Sequence, residues 1–196
     1  MDTQTIVFFG IIGSGKGTQI ERLMKYFQQM DSYKEPVYAG TGEEFRKLVK
    51  SEGFLAERVR ETMVKGELQP DFLTTSLFTN VLTNNLNDDK HLITDGFPRT
   101  VHQSESFDSM MKFFKRENIK IIHIDISEDE VVKRNTLRGR VDDTPEGIER
   151  RIQEYKDNVV PSMEYFRNKE GYQIFKINGE QAMDRVFEDV INVLEL

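Results

Sequence analysis

The chain has 196 residues, 37% hydrophobic and 31% charged, and carries a formal net charge of −7 at pH 7. That length suits one domain with a sizeable core, and the acidic balance argues against a nucleic-acid partner, which selects the opposite sign. Cysteine is absent, which excludes disulfides, thiolate catalysis and a cysteine-based zinc site.

The opening Met1-Asp2-Thr3-Gln4 carries no basic targeting segment. No apolar run approaches the roughly 18 residues of a membrane span, so a cytoplasmic protein that does not enter a membrane is expected. The first strand is expected at Thr5–Phe9, where Ile6-Val7-Phe8-Phe9 is continuously apolar. Then comes Gly10-Ile11-Ile12-Gly13-Ser14-Gly15-Lys16-Gly17-Thr18, followed by a helical pattern over 19–30. A strand, a glycine-rich turn and a helix in that order build a phosphate cradle. Glycines let successive backbone N–H groups converge without Cβ clashes, and the helix N-terminus adds partial positive charge. Lys16 adds a full charge that can follow a transferring phosphoryl group. The strict pattern places Ser or Thr directly after the lysine; here Gly17 stands there and the hydroxyl arrives one residue later, at Thr18.

Further strands are expected at 36–38, 90–94, 119–126 and 172–177, separated by amphipathic helical segments. Thr41-x-x-Glu44, Thr100-x-x-Gln103, Ser127-x-x-Glu130 and Asn178-x-x-Gln181 read as capping boxes, and Thr144-Pro145 as an N-cap followed by Pro at N1. After Pro145, Ile148, Ile152, Tyr155, Val159, Met163 and Phe166 recur every three or four residues and predict one long helix. The alternation predicts an α/β domain with a mainly parallel sheet. Residues 42–87 break the rhythm, reading as consecutive helices over the ligand edge, a candidate substrate flap.

Asp95 closes an apolar strand, and Arg99 follows on the next turn. A carboxylate beside a phosphate loop can hold Mg2+, usually through water, and an arginine there can grip phosphate oxygens. Taken alone, the two residues also fit a capped turn and a surface charge. Lys133, Arg134, Arg138, Arg140, Arg150 and Arg151 form a basic cluster, and three of these arginines fall within seven residues. Cations at a helix C-terminus account for part of it. In a chain this acidic the cluster fits a polyanion site, with Asp142 and Asp143 placed to orient the guanidinium groups. Thr41-Gly42-x-x-x-Arg46 opens the helical insertion, and Gln103 follows Arg99 by four residues; for Thr41 and Gln103 capping alone is a sufficient reading. His91, His102 and His123 lack ligand spacing, and the Met110-Met111 and Phe113-Phe114 pairs read as core.

Taken together, Gly10-x-x-Gly-x-Gly-Lys-Gly-Thr18-Gln19, Thr41-Gly42-x-x-x-Arg46, Asp95-Gly-Phe-Pro-Arg99-Thr-x-x-Gln103 and Arg138-Gly-Arg140-Val-Asp142-Asp143 resemble the adenylate kinases, in order and over essentially the whole chain. The resemblance implies a P-loop NTPase-type three-layer fold, a five-stranded parallel sheet flanked by helices, with a core at 1–39, 71–138 and 145–196. It implies a helical monophosphate-binding subdomain near 40–70 and a minimal lid near 139–144. It implies transfer of the terminal phosphoryl group of Mg-ATP to AMP, giving two ADP, by a cytoplasmic monomer whose partners are nucleotides. Carried over by position, Gly13, Ser14, Gly15, Lys16, Gly17 and Thr18 would hold ATP, with Arg134 against its base and Arg138 and Arg140 on its phosphates. Thr41, Gly42, Arg46, Gly96, Arg99 and Gln103 would bind AMP. Arg140 and Arg151 would contact AMP as well, Arg151 bridging the transferring group. Asp95, with Thr18 as a second candidate, would organise Mg2+; no zinc is implied.

Three positions depart from the family pattern: Ile12 stands for the usual Pro, Glu43 for the commoner Asp, and a single Gly139 separates Arg138 from Arg140. The reaction needs little acid–base help, because the attacking AMP oxygen is already ionised at neutral pH. The obstacle is bringing two polyanions together. A pyrimidine monophosphate kinase is the nearest alternative; those relatives tend to carry Ala for Thr41 and Asn for Thr100. A catalytically weak nucleotide-binding regulatory module is the other.

Overall fold

The computed structural model describes residues 3–30, 36–64, 67–138 and 143–196. Arg140 and Asp142, with most of the expected lid, lie outside the described residues. Five parallel strands form one sheet: β1 (Thr5–Phe9), β2 (Val37–Gly40), β3 (Leu92–Asp95), β4 (Ile119–Asp125) and β5 (Tyr172–Asn178), in the order β2-β3-β1-β4-β5. All five fall within two residues of their expected positions.

β1 is buried along its whole length, the mark of a central strand covered on both faces. Its side chains alternate between two cores. Val7 and Phe9 pack toward α4 (Asp71–Asn85), α5 (Val101–Phe113) and α8 (Val160–Glu164), through Phe78, Phe107 and Met163. Ile6 and Phe8 pack toward α1 (Lys16–Gln29) and α9 (Met183–Leu194), through Leu23, Phe27 and Val190. Burying each such side chain is worth about 1.5–3 kcal/mol, so this central strand anchors both outer layers. Phe78 and Phe97 stack with ring centroids 4.2 Å apart, fixing the turn after β3 against the core. Of the paired residues expected inside, Met111 is buried, but Phe113 ends α5 and is 80% exposed.

Phe8 lies level with Asp95, and Phe9 with His123. The chain leaves β1 toward β2 and β3 on one side, then crosses to β4 and β5 on the other. The carboxyl end of β1 is therefore the point where the winding reverses, the place where such sheets form a ligand crevice. Over that edge stand α2 (Thr41–Leu48) and α3 (Phe54–Val64), ahead of α4. Phe45 of α2 and Val59 of α3 form a small cluster with Leu73 at the start of α4.

The helix signals hold unevenly. Thr144 caps α7 (Pro145–Glu154) through the Gly147 N–H, with Pro145 in the first turn. Thr100 accepts from the Gln103 N–H. Thr41 does not cap: it is the first residue of α2, and its hydroxyl donates instead to the Gly96 carbonyl at 2.8 Å. That bond ties the insertion to the turn after β3. Asn178 and Gln181 organise the turn after β5, and α9 begins only at Met183. Ser127 receives the Glu130 N–H at 3.4 Å at the start of α6 (Glu128–Arg138), but the Glu130 carboxylate turns to Arg134.

The helix expected after Pro145 is interrupted. Residues Tyr155–Val159 form a π-turn, in which the Val160 N–H reaches back to the Tyr155 carbonyl. Pro161 explains the position, because its ring clashes with the carbonyl four residues back and it lacks an N–H; a wider turn relieves both. No helix among the described residues is long and apolar enough to cross a membrane.

Candidate active site

The loop between β1 and α1 needs its glycines for distinct reasons. Gly13 has φ +76°, and a Cβ there would come 2.6 Å from the Asn135 amide nitrogen. Asn135, fully buried on α6, donates to the Val131 carbonyl at 2.7 Å and to Ile12 at 3.4 Å, supporting the loop from beneath. At Gly15 and Gly17 a Cβ would meet nothing within 4 Å. There a ligand can approach the backbone, where the first-turn N–H groups of α1 have no carbonyl partner within their helix. The Ser14 hydroxyl is buried there without a hydrogen-bond partner among the described residues. Thr18 is exposed on the same turn.

Lys16 turns back over the loop and donates to the carbonyls of Gly10 at 2.5 Å and Ile11 at 3.1 Å. Burial pulls its pKa down to about 8; Asp95 opposes this, and Arg99 and Arg138 reinforce it. The lysine is thus crowded by cations, a field that an anionic ligand would relieve.

A cleft of about 300 Å3 opens beside it. Lys16, Arg46, Arg99 and Arg151 line it together, although they come from four separate stretches of chain. Thr41, Gly42, Gly96 and Gln103 line it too. Arg99 Nε donates to the Gly96 carbonyl at 3.0 Å, the same oxygen that receives Thr41. Arg138 stands at the end of α6 and grips Asp143 with two bonds, at 2.9 and 2.6 Å. Arg151 reaches the same carboxylate at 2.8 Å, and the Asp143 side chain is 1% exposed. Arg134 donates to Glu130, to the Gly13 carbonyl at 3.2 Å and to the Gly179 carbonyl at 2.9 Å, so it clamps the glycine-rich loop to the turn after β5. It is not among the residues that line the cleft.

Asp95 is half-buried at the end of β3, with the Tyr38 hydroxyl 3.4 Å from its Oδ2. No group of three or more acidic or histidine side chains among the described residues is arranged to hold a metal. A lone carboxylate beside a phosphate site fits Mg2+, which keeps most of its waters and takes further oxygens from phosphate.

A sequence model of the adenylate kinases matches residues 8–171. The chain belongs to the adenylate kinase family. It is 32% identical to the adenylate kinase of Bacteroides fragilis over 194 aligned positions, which cover 97% of both chains. It is 30% identical to those of Thermosipho africanus and Staphylococcus epidermidis, covering 96% and 97% of this chain and 98% of each relative. Those two alignments run over 221 and 224 positions, more than this chain has residues, so both relatives carry segments it lacks. The Bacteroides alignment leaves room for only a few unmatched residues anywhere, the lid region included.

Sequence reasoning missed several residues around the cleft. Gln69 lines it with an Nε2 that is buried and unpartnered among the described residues. Tyr155 lines it from the π-turn, its hydroxyl 2.9 Å from His123 Nε2. Burial, aided by Asp125, pushes this tyrosine up to about 12. Asp71 stands behind Gln103 and accepts from its side-chain amide. None carries a motif, and only the folded neighbourhood marks them.

Proposed function

We propose that this cleft performs the reversible transfer of the terminal phosphoryl group of Mg-ATP to AMP, giving two ADP. Lys16 and the amides of Gly13 to Thr18 hold the ATP phosphates, with Arg134 flanking the base and Arg138 and Arg140 reaching the phosphate chain. Arg46 and Arg99 take the AMP phosphate, Thr41, Gly42, Gly96 and Gln103 surround its nucleoside, and Arg151 bridges donor and acceptor. Asp95, with Thr18, would hold Mg2+ through water; the ion would neutralise phosphate charge and align the oxygens of ATP. The attacking AMP oxygen is already an anion, so the chain supplies cations and alignment rather than a base.

The insertion near 40–70 acts as the AMP-binding subdomain, a reading supported by the cluster in which its Phe45 and Val59 pack on Leu73 of α4. The segment near 139–144 acts as a lid that excludes water on closing. The enzyme works as a cytoplasmic monomer on nucleotides alone.

The observation that carries this reading is the convergence of Lys16, Arg46, Arg99 and Arg151 on one cleft in a chain of net charge −7. A coupled assay of ADP formation with AMP, CMP, UMP and GMP tests it. AMP is expected to be strongly preferred, and Lys16→Met is expected to lower kcat by about 10²–10³-fold. Preference for CMP would make the enzyme a pyrimidine monophosphate kinase, and nucleotide binding without ADP formation would make it a regulatory module.

A further inference from the structure

Gln103 lines the cleft yet is only 2% exposed. Its Oε1 accepts from the backbone N–H of Arg99 at 2.8 Å, and its Nε2 donates to Asp71 Oδ1 at 2.8 Å. Both partners are one-sided: a backbone N–H only donates and a carboxylate only accepts. Together they fix which end of the amide is oxygen. Turning it over would set Nε2 against an N–H and Oε1 against a carboxylate, losing both bonds and creating two repulsions. Asp71 is itself held. Its Oδ2 accepts from the Thr100 hydroxyl at 2.9 Å, and that hydroxyl oxygen receives the Gln103 N–H at 3.2 Å. The network joins the first residue of α4 to the start of α5, and Asp71 is not among the residues that line the cleft.

We infer that Asp71 is a positioning residue which makes the site select a 6-amino over a 6-oxo base by locking the Gln103 amide. This rests on the reading of Gln103 as the group that faces the base of the monophosphate. After its two internal bonds, the amide retains one N–H and one Oε1 lone pair. Adenine presents the complement, an acceptor at N1 beside an amino donor at C6. Hypoxanthine and guanine invert that edge, with N1–H beside the O6 acceptor, and need the amide turned over. A locked amide leaves them facing like groups, and unpaired buried polar groups are what give a site strong discrimination. Cytosine repeats the adenine pattern on a smaller ring, so the lock separates amino from oxo bases, while cleft shape separates purine from pyrimidine.

AMP and IMP differ only along this edge, so their kinetics with the whole enzyme test the lock. In Asp71→Asn the new amide can face Gln103 with either end, and in Asp71→Ala nothing opposes the flip from that side. Both variants are expected to lower the AMP-to-IMP ratio of kcat/KM by about tenfold or more. The change should appear in the KM for the monophosphate, with the KM for ATP unmoved. General loss of folded enzyme cancels in that ratio. A ratio within about twofold of wild type in both variants, or equal losses for AMP and IMP, would overturn the lock. The wild type offers a readout needing no variant to fold: one Gln103 side-chain N–H should exchange with water at least about tenfold more slowly than exposed glutamine amides in 15N spectra. Exchange at the exposed rate would refute the bond to Asp71. A wild type that makes no ADP from AMP refutes the proposed function; one that prefers AMP to IMP, with both variants keeping that preference, refutes the lock alone.

Discussion

The two flanks of the cleft hold their arginines in opposite ways. On the α6–α7 flank, Arg138 and Arg151 share the buried carboxylate of Asp143, so their guanidinium planes are set before any ligand arrives. On the α2 flank, Arg46 is exposed and makes no hydrogen bond or ion pair among the described residues. Pre-pairing avoids most of the roughly 2 kcal/mol of rotamer entropy that an ordered arginine loses, at the cost of half-neutralised charge. An unpaired arginine keeps its full charge and is ordered only on binding. The contrast suits the two tasks proposed for the flanks, since a misplacement of about an ångström slows in-line transfer, whereas capture of an acceptor phosphate needs mainly charge.

Removing Asp143 breaks the comparison most severely. Asp143→Ala removes the carboxylate shared by two mutually repelling guanidinium groups, and kcat is expected to fall about a hundredfold with a much smaller change in the KM for AMP. A loss confined to the KM for AMP would reverse the roles given to the flanks. Lys16, between them, gives the next effect. Its charge is present below its pKa of about 8 and lost above it. The kcat/KM for ATP is therefore expected to drop about tenfold from pH 7 to pH 9, and Lys16→Arg should flatten that limb of the profile. The smallest effect belongs to the insertion. Phe45→Ala hollows the cluster that seats the insertion on α4 and should raise the KM for AMP several-fold, with thermal stability of the main sheet little changed, because none of its buried residues belongs to the two cores that cover the sheet. Equal increases in the KM for ATP and AMP would show that the flanks are not independent.

The sheet was legible in the sequence because burial on both faces leaves continuous apolar runs such as Ile6–Phe9, and turn residues bound them. The glycine-rich loop and the Asp95–Arg99 turn were legible because their chemistry restricts residue choice over short spacings. Capping signals were less trustworthy. Thr41 and Thr100 carry the same pattern, yet Thr41 is captured by the Gly96 carbonyl, a neighbour brought in by pairing of β2 with β3. Asp71 was invisible for the same reason: its partners lie 29 and 32 residues away, and nothing local distinguishes it from an ordinary acidic helix start. Arg138, Asp143 and Arg151 were close enough in sequence for the cluster to be read, but not for the shared carboxylate to be singled out from Asp142.

The π-turn at Tyr155–Val159 also acts as a phase shifter. Upstream, Ile148 and Ile152 are keyed to the hydrophobic patch under the phosphate loop; downstream, Met163 and Phe166 are keyed to the main core. One surplus residue between them rotates the second set relative to the first by about 100°. Closing the turn into regular α geometry with that residue retained would swing one of the two gear faces off its core and into water.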